Sequence, residues 1–247
     1  MKILVTSGGT KVPIDRVRDI TNMSRGTFGS KIATELLKLN QDVYFFKAKE
    51  SRSPFKFEID LADGYNAGDI SAWATIHTRI IDEMTSKVQL LNHYKEMDYT
   101  TFAEYKERLE RLIKIWQPDV VVLAAAVSDY GVANFVDGKM RSNNDYKIVL
   151  EQLPKLIYFI KEWMPTTKLV GFKLLVGSKD YELLDAAKRS IADNHCDMIV
   201  ANDLQDMKEN KHRVHLVYPS GNPVSLNSAP DDPNYLARMV AEHIVKI

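Results

Sequence analysis

Two small-residue runs near the amino terminus, Ser7-Gly8-Gly9-Thr10 and Ser24-Arg25-Gly26-Thr27-Phe28-Gly29, carry the clearest chemical signal in this 247-residue chain. Glycines let backbone N–H groups approach an anion closely, and a following helix N-terminus adds partial positive charge. The first run follows the apolar, strand-like Lys2-Ile3-Leu4-Val5-Thr6, and the second precedes the helical spacing Ile32, Ala33, Leu36, Leu37. Residues 1–35 therefore read as a strand–loop–helix unit with two phosphate-cradling turns, separated by a polar loop over 11–23. The spacing matches neither G-x-x-x-x-G-K-[ST] nor G-x-G-x-x-G, so glycines that merely make tight turns are the competing reading.

Further candidates stand at the ends of apolar runs. Asp119-Val120-Val121-Val122-Leu123 is the most convincing buried strand, and it opens into Ala124-Ala125-Ala126-Val127-Ser128-Asp129. Small residues there admit a ligand to the backbone, and open α/β sheets bind ligands at strand carboxyl ends. Asp129 offers a carboxylate to a hydroxyl, an amide or a metal, or else caps the loop. The polar stretch 131–145 contains Lys139 and Arg141, two cations that a closing loop would bring to a triphosphate, or that solvent simply covers. Phe172, near the end of a strand over 168–173, faces either a base or the core, and Asn202 follows a strand over 197–201. His212 and His215 lie on opposite faces of a strand at a spacing of three, which argues against a shared metal.

The elements that must position these residues alternate between strand and helix. A strand over 42–46 ends in Lys47-Ala48-Lys49, where a Rossmann unit preferring NAD would carry an acidic residue. An irregular excursion is predicted over 50–69, then helices over 76–94 and 102–116 whose aromatics, Trp116 included, read as core. Gln117-Pro118 stops the second. Helices over 150–163, interrupted near its start by Pro154, and over 179–194 come next. A hairpin pairs 213–218 with 224–226, and a helix over 235–247 closes the chain. The expected architecture is α/β and Rossmann-like: one domain over 1–247 with a doubly wound, mainly parallel sheet and a small excursion or hairpin available for dimerisation.

Composition narrows the partners. Lys+Arg and Asp+Glu both number 33, so no bulk field attracts nucleic acid or an anionic membrane, and any anion site must be local. One cysteine, Cys196, excludes an intrachain disulfide and any multi-cysteine metal centre, which fits a reducing, cytoplasmic setting. No stretch approaches the ~18 apolar residues of a membrane span.

The strings VTSGGTKVPID, ITNMSRGTFG, LAAAVSDY, GFKLLV and VANDL, in this order, resemble phosphopantothenate–cysteine ligase (phosphopantothenoylcysteine synthetase) of coenzyme A biosynthesis over nearly the whole chain. The resemblance implies a ligase that activates 4′-phosphopantothenate with ATP or CTP and Mg²⁺. Pyrophosphate is released, and the amine of L-cysteine then attacks the acyl-nucleotide. Many bacteria fuse this enzyme behind a flavin-dependent decarboxylase; the chain begins at the synthetase's first strand, so it is similar to the monofunctional form and no flavin is expected. A homodimer is implied as well.

By the same resemblance Gly8, Gly9, Ser24, Gly26 and Gly29 match the nucleotide-binding turns, with Phe172 and Asn202 also near the nucleotide. Asn22 matches the asparagine on the phosphopantothenoyl group and the acyl-nucleotide, Ala125, Ala126 and Asp129 match strand-end substrate contacts, and Lys139 matches the first lysine of a mobile K-x-K-K loop. An asparagine amide suits an acyl-phosphate because it donates hydrogen bonds without competing as a nucleophile. The chain departs from the pattern in reading Lys-Met-Arg-Ser in that loop. It also carries Ser190 and Asn194 where fused bacterial enzymes place helix lysines, with Lys188 and Arg189 as substitutes. KVP and the segment around Phe102 look closer to the ATP-using eukaryotic enzymes. The competing classes are a short-chain-type NAD(P) oxidoreductase, which lacks support because no tyrosine is followed four positions later by lysine, and a nucleotide-sensing module, which needs neither Asn22 nor Lys139.

Overall fold

Ile3, Leu4 and Val5 are fully buried, as a central parallel strand with both faces covered requires. They belong to β1 (Lys2–Ser7) in a computed structural model that describes residues 1–55, 74, 77, 78, 80–82, 84, 85, 88–208 and 212–247. Beside β1 run β4 (Asp42–Ala48) and then β5 (Tyr94–Tyr99). On its other side come β6 (Val120–Leu123), β9 (Lys168–Leu175) and β10 (Met198–Asp203), all parallel. The hairpin β11 (Arg213–Val217) and β12 (Val224–Asn227) adds two antiparallel strands beyond β10 and completes an 8-stranded sheet.

Alternation along the strands divides the core in two. Ile3, Val5, Val122 and Val170 face α1 (Thr27–Lys38) and the closing helix (Tyr235–Ile244). Leu4, Val121 and Leu169 face the other side, against α2 (Phe102–Trp116), α3 (Ile157–Trp163) and α4 (Asp180–Asn194). Helices on both faces make the sheet doubly wound. A capping box starts α2, Thr101 Oγ accepting from the Glu104 amide at 3.2 Å, and Gln117 ends it in the left-handed region before Pro118. Trp116 packs edge-on to Tyr44 at 5.4 Å, in the core as expected.

Three expectations need correcting. The loop over 11–23 contains a small hairpin, β2 (Lys11–Pro13) with β3 (Asp19–Thr21), too short to leave a periodic pattern. The helix expected over 76–94 lies partly outside the described residues, but its end is a 3₁₀ turn, Leu91–His93, and Tyr94 already opens β5. Among the described residues that strand is the last of the sheet, and its Lys95, Glu96 and Asp98 fit an edge. Leu150–Gln152 is not helix but β8, paired antiparallel with β7 (Tyr130–Val132), and helix begins only at Ile157 because Pro154 biases its predecessor to extended backbone. The expected hairpin forms as the rim of the main sheet rather than as a separate excursion. The excursion over 50–69 falls outside the described residues beyond 55. No helix among the described residues is long and apolar enough to cross a membrane.

From β1 the chain winds outward through β4 to β5, then returns to lay β6 on the opposite side of β1 and continues to β9 and β10. The winding reverses between β1 and β6, and in sheets of this kind the ligand crevice opens at that point. Leu36, fully buried between α1 and the sheet, reports on the packing that fixes it. Leu36→Ala is expected to cost about 2–5 kcal/mol in urea unfolding with the denaturant slope unchanged.

Candidate functional site

Both glycine turns converge on Ser7, at the end of β1. Its buried hydroxyl donates to the Gly26 carbonyl at 3.0 Å. A Cβ added to Gly26 or Gly29 would come within 2.7 or 2.6 Å of that hydroxyl oxygen. Gly8, at φ +85°, would place a Cβ 2.7 Å from the Cβ atoms of Ala48 and Ser51. The two turns that the sequence separates thus make one floor, with α1 starting directly over β1. Gly9 is equally confined: a Cβ there would lie 2.6 Å from the Asn22 carbonyl oxygen.

Across the switch point this floor is tied to the end of β6. The Ala126 amide donates to the Gly8 carbonyl at 2.8 Å, the Thr10 amide to Ala126 O at 3.3 Å, and the Ser128 amide to Thr10 Oγ1 at 2.9 Å. Asn22 is exposed and staples the same loop, its Nδ2 donating to the carbonyls of Ala126 at 3.2 Å and Val127 at 3.3 Å. Its amide nitrogen is therefore engaged, while its Oδ1 has no partner among the described residues. Ala125 donates to Thr6 Oγ1 at 3.3 Å, which also receives the Tyr105 hydroxyl at 3.2 Å.

Tyr99, at the end of β5, supports the floor from below. Its phenol donates to the carbonyls of Ser7 at 2.7 Å and Gly8 at 3.2 Å. Burial raises its pKa far above the ordinary phenol value, so it remains a donor at any working pH. It also lines a cleft of about 410 Å³ over β1, β4 and β5, together with Asn22, Ser24, Arg25 and Lys49.

Phe172 and Asn202 lie on the opposite side of the switch point, on β9 and β10. Phe172 meets Phe28 edge-on at 6.2 Å, and Phe28 meets the His212 ring at 5.4 Å. Asn202 Nδ2 contacts Met207 Sδ at 3.0 Å. Phe28, Lys31, Met207 and His212 line a second, smaller cavity of about 220 Å³ beside the start of α1. Burial first, and Lys31 second, lowers the His212 pKa, which keeps the ring neutral. The site therefore has two lobes, one cationic and one aromatic, with Asn22 and Ala126 between them.

Lys139 and Asp129 project from the loops beyond β6. Asp129 is exposed, and its backbone carbonyl accepts from the Leu153 amide at 2.9 Å. Lys139 is exposed, without a partner among the described residues, yet its neighbours are fixed. The Arg16 amide donates to Gly138 O and the Met140 amide to Asp15 Oδ2, both at 3.0 Å. Asp15 is buried and also accepts from the Val17 and Arg18 amides, each at 2.7 Å, and from the Arg18 guanidinium. Donation by Met140, then by Val17 and Arg18, lowers its pKa to about 2. Asp203 plays the same part beneath the start of α4. Burial alone would raise its pKa, but Ser178, Gly177 and Gln205 donate to it and bring it down to about 2.

Of the suggested substitutes for the helix lysines, Arg189 pairs with Asp185 and borders a small cleft with Lys155, Lys173, Ser190 and Asn194. Lys188 opens onto a different groove beside Tyr218. Sequence reasoning missed Tyr99, Asp15, Asp203 and Phe28. Only Asp15 left a signal, an aspartate able to close an Asx turn two and three residues ahead.

An α/β protein with helices on both faces and a divided ligand crevice at the switch point is what fold and site define. The chain belongs to the family described as DNA/pantothenate metabolism flavoprotein C-terminal domain, whose model matches residues 1–82 and 64–247. It is 32% identical over 216 residues to the coenzyme A biosynthesis bifunctional protein CoaBC of Thermococcus kodakarensis, covering 87% of this chain and 44% of that protein. It is 26% identical over 226 residues to human phosphopantothenate–cysteine ligase, covering 82% of this chain and 72% of that protein. The chain thus spans about half the length, or less, of the bifunctional relatives it matches. A solved Cab2 variant in complex with phosphopantothenate-cysteine shares the fold, with a TM-score of 0.80 at 24% identity, covering 99% of this chain and 85% of that one.

Two outcomes follow from this geometry. Tyr99→Phe removes the buried phenol donor from the Ser7 carbonyl, while Gly8 O keeps the Ala126 amide, and is expected to cost about 1–3 kcal/mol in urea unfolding. Tyr105→Phe, whose hydroxyl meets only another hydroxyl, is expected to cost less. The carboxylates of Asp15 and Asp203, held below their unfolded pKa, contribute stability above about pH 4 that disappears as pH falls toward 2. Urea midpoints measured across that window should fall steeply for the wild type and less steeply for Asp203→Asn.

Proposed function

We propose that this chain, acting as one domain and a homodimer in the cytoplasm, joins 4′-phosphopantothenate to L-cysteine through an acyl-nucleotide made from ATP or CTP. The observation that carries the reading is the staple at the switch point: Asn22 bound to Ala126 and Val127, with a cationic lobe on one side and an aromatic lobe on the other. Such a crevice takes two extended ligands end to end, as carboxylate activation by a nucleotide demands. Family membership and the activity named for the human relative support it.

In this reading the carboxylate of 4′-phosphopantothenate meets the α-phosphate of the nucleotide beside Asn22, and one carboxylate oxygen bonds to phosphorus as pyrophosphate leaves. The cysteine amine then attacks the acyl carbon, and the nucleoside monophosphate departs with that oxygen. The glycine turns at Gly8, Gly9, Ser24, Gly26 and Gly29 offer backbone donors to the phosphates, and α1 aims its N-terminus at them. Phe172 and Asn202, with Phe28, border the lobe assigned to the base. Ala125 and Ala126 keep the strand end open to the acyl group, and Asn22 Oδ1 is left to accept from the amide N–H of the phosphopantothenoyl chain. Lys139 rides the β7–β8 loop, which Asp15 pins through the neighbouring Met140 amide, and its long exposed side chain meets phosphate charge.

Mg²⁺ keeps most of its water and binds through phosphate oxygens plus one or two carboxylates. No group of three His, Cys, Asp or Glu that could hold a metal occurs among the described residues. Asp129, exposed at the strand end, is the one carboxylate such a site would use. When bound with the nucleotide, the ion neutralises triphosphate charge.

Incubation of the purified chain with 4′-phosphopantothenate, L-cysteine, Mg²⁺ and either nucleotide tests the reading. Cysteine-dependent pyrophosphate release is expected, with one nucleotide clearly preferred because a wrong base leaves groups unpaired at about 1–3 kcal/mol each. No release with either nucleotide overturns it, and light scattering at micromolar concentration checks the dimer. Asn22→Asp replaces the staple's donor with a carboxylate that repels both the carbonyls and the phosphate, so turnover should drop roughly a hundredfold or more. Lys139→Gln should slow acyl-nucleotide formation more than its consumption by cysteine, in single-turnover assays that follow each step.

A further inference from the structure

Among the described residues four buried side-chain atoms make no hydrogen bond: Asp98 Oδ1, Asn194 Oδ1, His212 Nε2 and His215 Nε2. Three belong to groups that are otherwise engaged. Asp98 Oδ1 lies 2.9 Å from the Lys47 ammonium, the Asn194 amide nitrogen donates to Ser190 O at 2.8 Å, and His215 Nδ1 pairs with Ser225 Oγ at 2.8 Å. His212 differs. Its backbone is held, the Ser228 amide donating to its carbonyl at 2.8 Å, yet neither ring nitrogen has a partner among the described residues, and Nδ1 is not buried. Of the four residues it alone lines a lobe of the crevice.

The walls of that lobe say what kind of group it takes. At about 220 Å³ the cavity suits one flat ring system rather than a whole nucleotide. Lys31 and Asp232 both line it, so their charges offset, and the Lys31 ammonium already donates to the Pro233 carbonyl at 2.6 Å. Little is left there for a phosphate. Phe28 meets the His212 ring at 5.4 Å and the Phe172 ring at 6.2 Å, both edge-on, an aromatic corner against which a base packs. Asn202 borders it with an amide nitrogen spent on the Met207 sulfur, a weak acceptor.

Nothing among the described residues uses the polarity of this imidazole. An unpaired buried Nε2 costs stability that a phenylalanine in the same place would not, so the ring's nitrogens serve a group that the free chain does not contain. We infer that His212 reads the nucleotide base, its Nδ1 exchanging a hydrogen bond with the base edge in this cavity, and that this bond sets which nucleotide the chain prefers. The inference rests on the ligase reading of the crevice and deepens it. Burial keeps the ring neutral, with one N–H and one acceptor nitrogen to offer. A purine carries its hydrogen-bonding edge farther from the ribose than a pyrimidine does, so a ring fixed in one place is in register with one of them.

Calorimetric titration of the wild type and His212→Phe with ATP and with CTP, each with Mg²⁺, tests it. The wild type should bind one nucleotide clearly more tightly. His212→Phe should weaken that nucleotide roughly 10- to 100-fold, the span of one unmade hydrogen bond, and bring the two affinities together. Binding of inorganic tripolyphosphate and the urea midpoint should not fall. His212→Gln, which keeps a donor and an acceptor, should retain part of the preference, and His212→Ala stands in with the same expectation if the phenylalanine does not fold. An unchanged preference in His212→Phe overturns the inference, as does an equal loss for tripolyphosphate or a wild type that binds both nucleotides equally or neither. Pyrophosphate release in the full reaction separates the two readings. Release by a wild type whose preference survives His212→Phe sinks the inference alone, whereas a preference lost in the variant with no release by the wild type supports the inference and sinks the ligase reading.

Discussion

Where β1 and β6 end, the chain leaves both strands in loops that hydrogen-bond to each other, and the rest of the molecule is arranged to keep those loops in register. Gly8, Thr10 and Ala126 exchange backbone bonds there, and Asn22 closes the set from the solvent side. Parallel pairing brings the two strand ends level, Thr6 beside Leu123, so that neighbouring loops can meet at all. Tyr99 and Tyr105 reach up from the opposite layer to fix the last peptides and the Thr6 hydroxyl. Without that support the Ser7 carbonyl would lose its phenol donor in a buried layer and the Gly8 carbonyl would keep only the Ala126 amide, a costly arrangement that native interiors avoid.

Glycine serves this junction in a different way from the one its sequence pattern suggests. Cβ contacts of 2.7 and 2.6 Å with the Ser7 hydroxyl at Gly26 and Gly29 mean that α1 can sit on β1 only if those side chains are absent, and Gly8 is confined in the same way against Ala48 and Ser51. The close approach in turn places the helix N-terminus at the crevice. Close packing and a helix N-terminus open to the crevice are here two results of one constraint. Anchored carboxylates extend the principle to the periphery: Asp15 and Asp203 each collect several backbone amides and so fix loops that apolar contacts do not reach. The Lys139 loop is accordingly held on either side of the lysine, through Gly138 and Met140, and the exposed side chain extends from that fixed backbone.

Most of the main sheet was legible in the sequence because its strands are buried on both faces and read as continuous β-branched runs. Val120-Val121-Val122 and Ile199-Val200 are the clearest cases. The strands that escaped, β2, β3, β5, β7 and β8, are short or at an edge, where polar side chains and tertiary pairing overrule periodicity. The candidate site was half legible. Gly8, Gly26, Gly29, Asn22 and Ala126 do come together, and Phe172 and Asn202 lie across the switch point on β9 and β10. Tyr99 was invisible because its role depends on β5, which lies between the helices expected over 76–94 and 102–116 and was given no strand. Asn22 illustrates a further limit: its residue type announces hydrogen bonding, but only the fold reveals that the amide nitrogen is spent on the β6 loop.

The central claim is that the crevice at this junction activates a carboxylate by transferring a nucleotidyl group to it, and isotope tracing addresses that claim directly. With ¹⁸O in the carboxylate of 4′-phosphopantothenate, one labelled oxygen becomes the bridge of the acyl-nucleotide and leaves with the nucleoside monophosphate when cysteine attacks. Mass spectrometry of a single turnover should find ¹⁸O in the nucleoside monophosphate and none in inorganic phosphate or pyrophosphate. Label in inorganic phosphate instead would mean phosphoryl rather than nucleotidyl transfer, and would contradict the account.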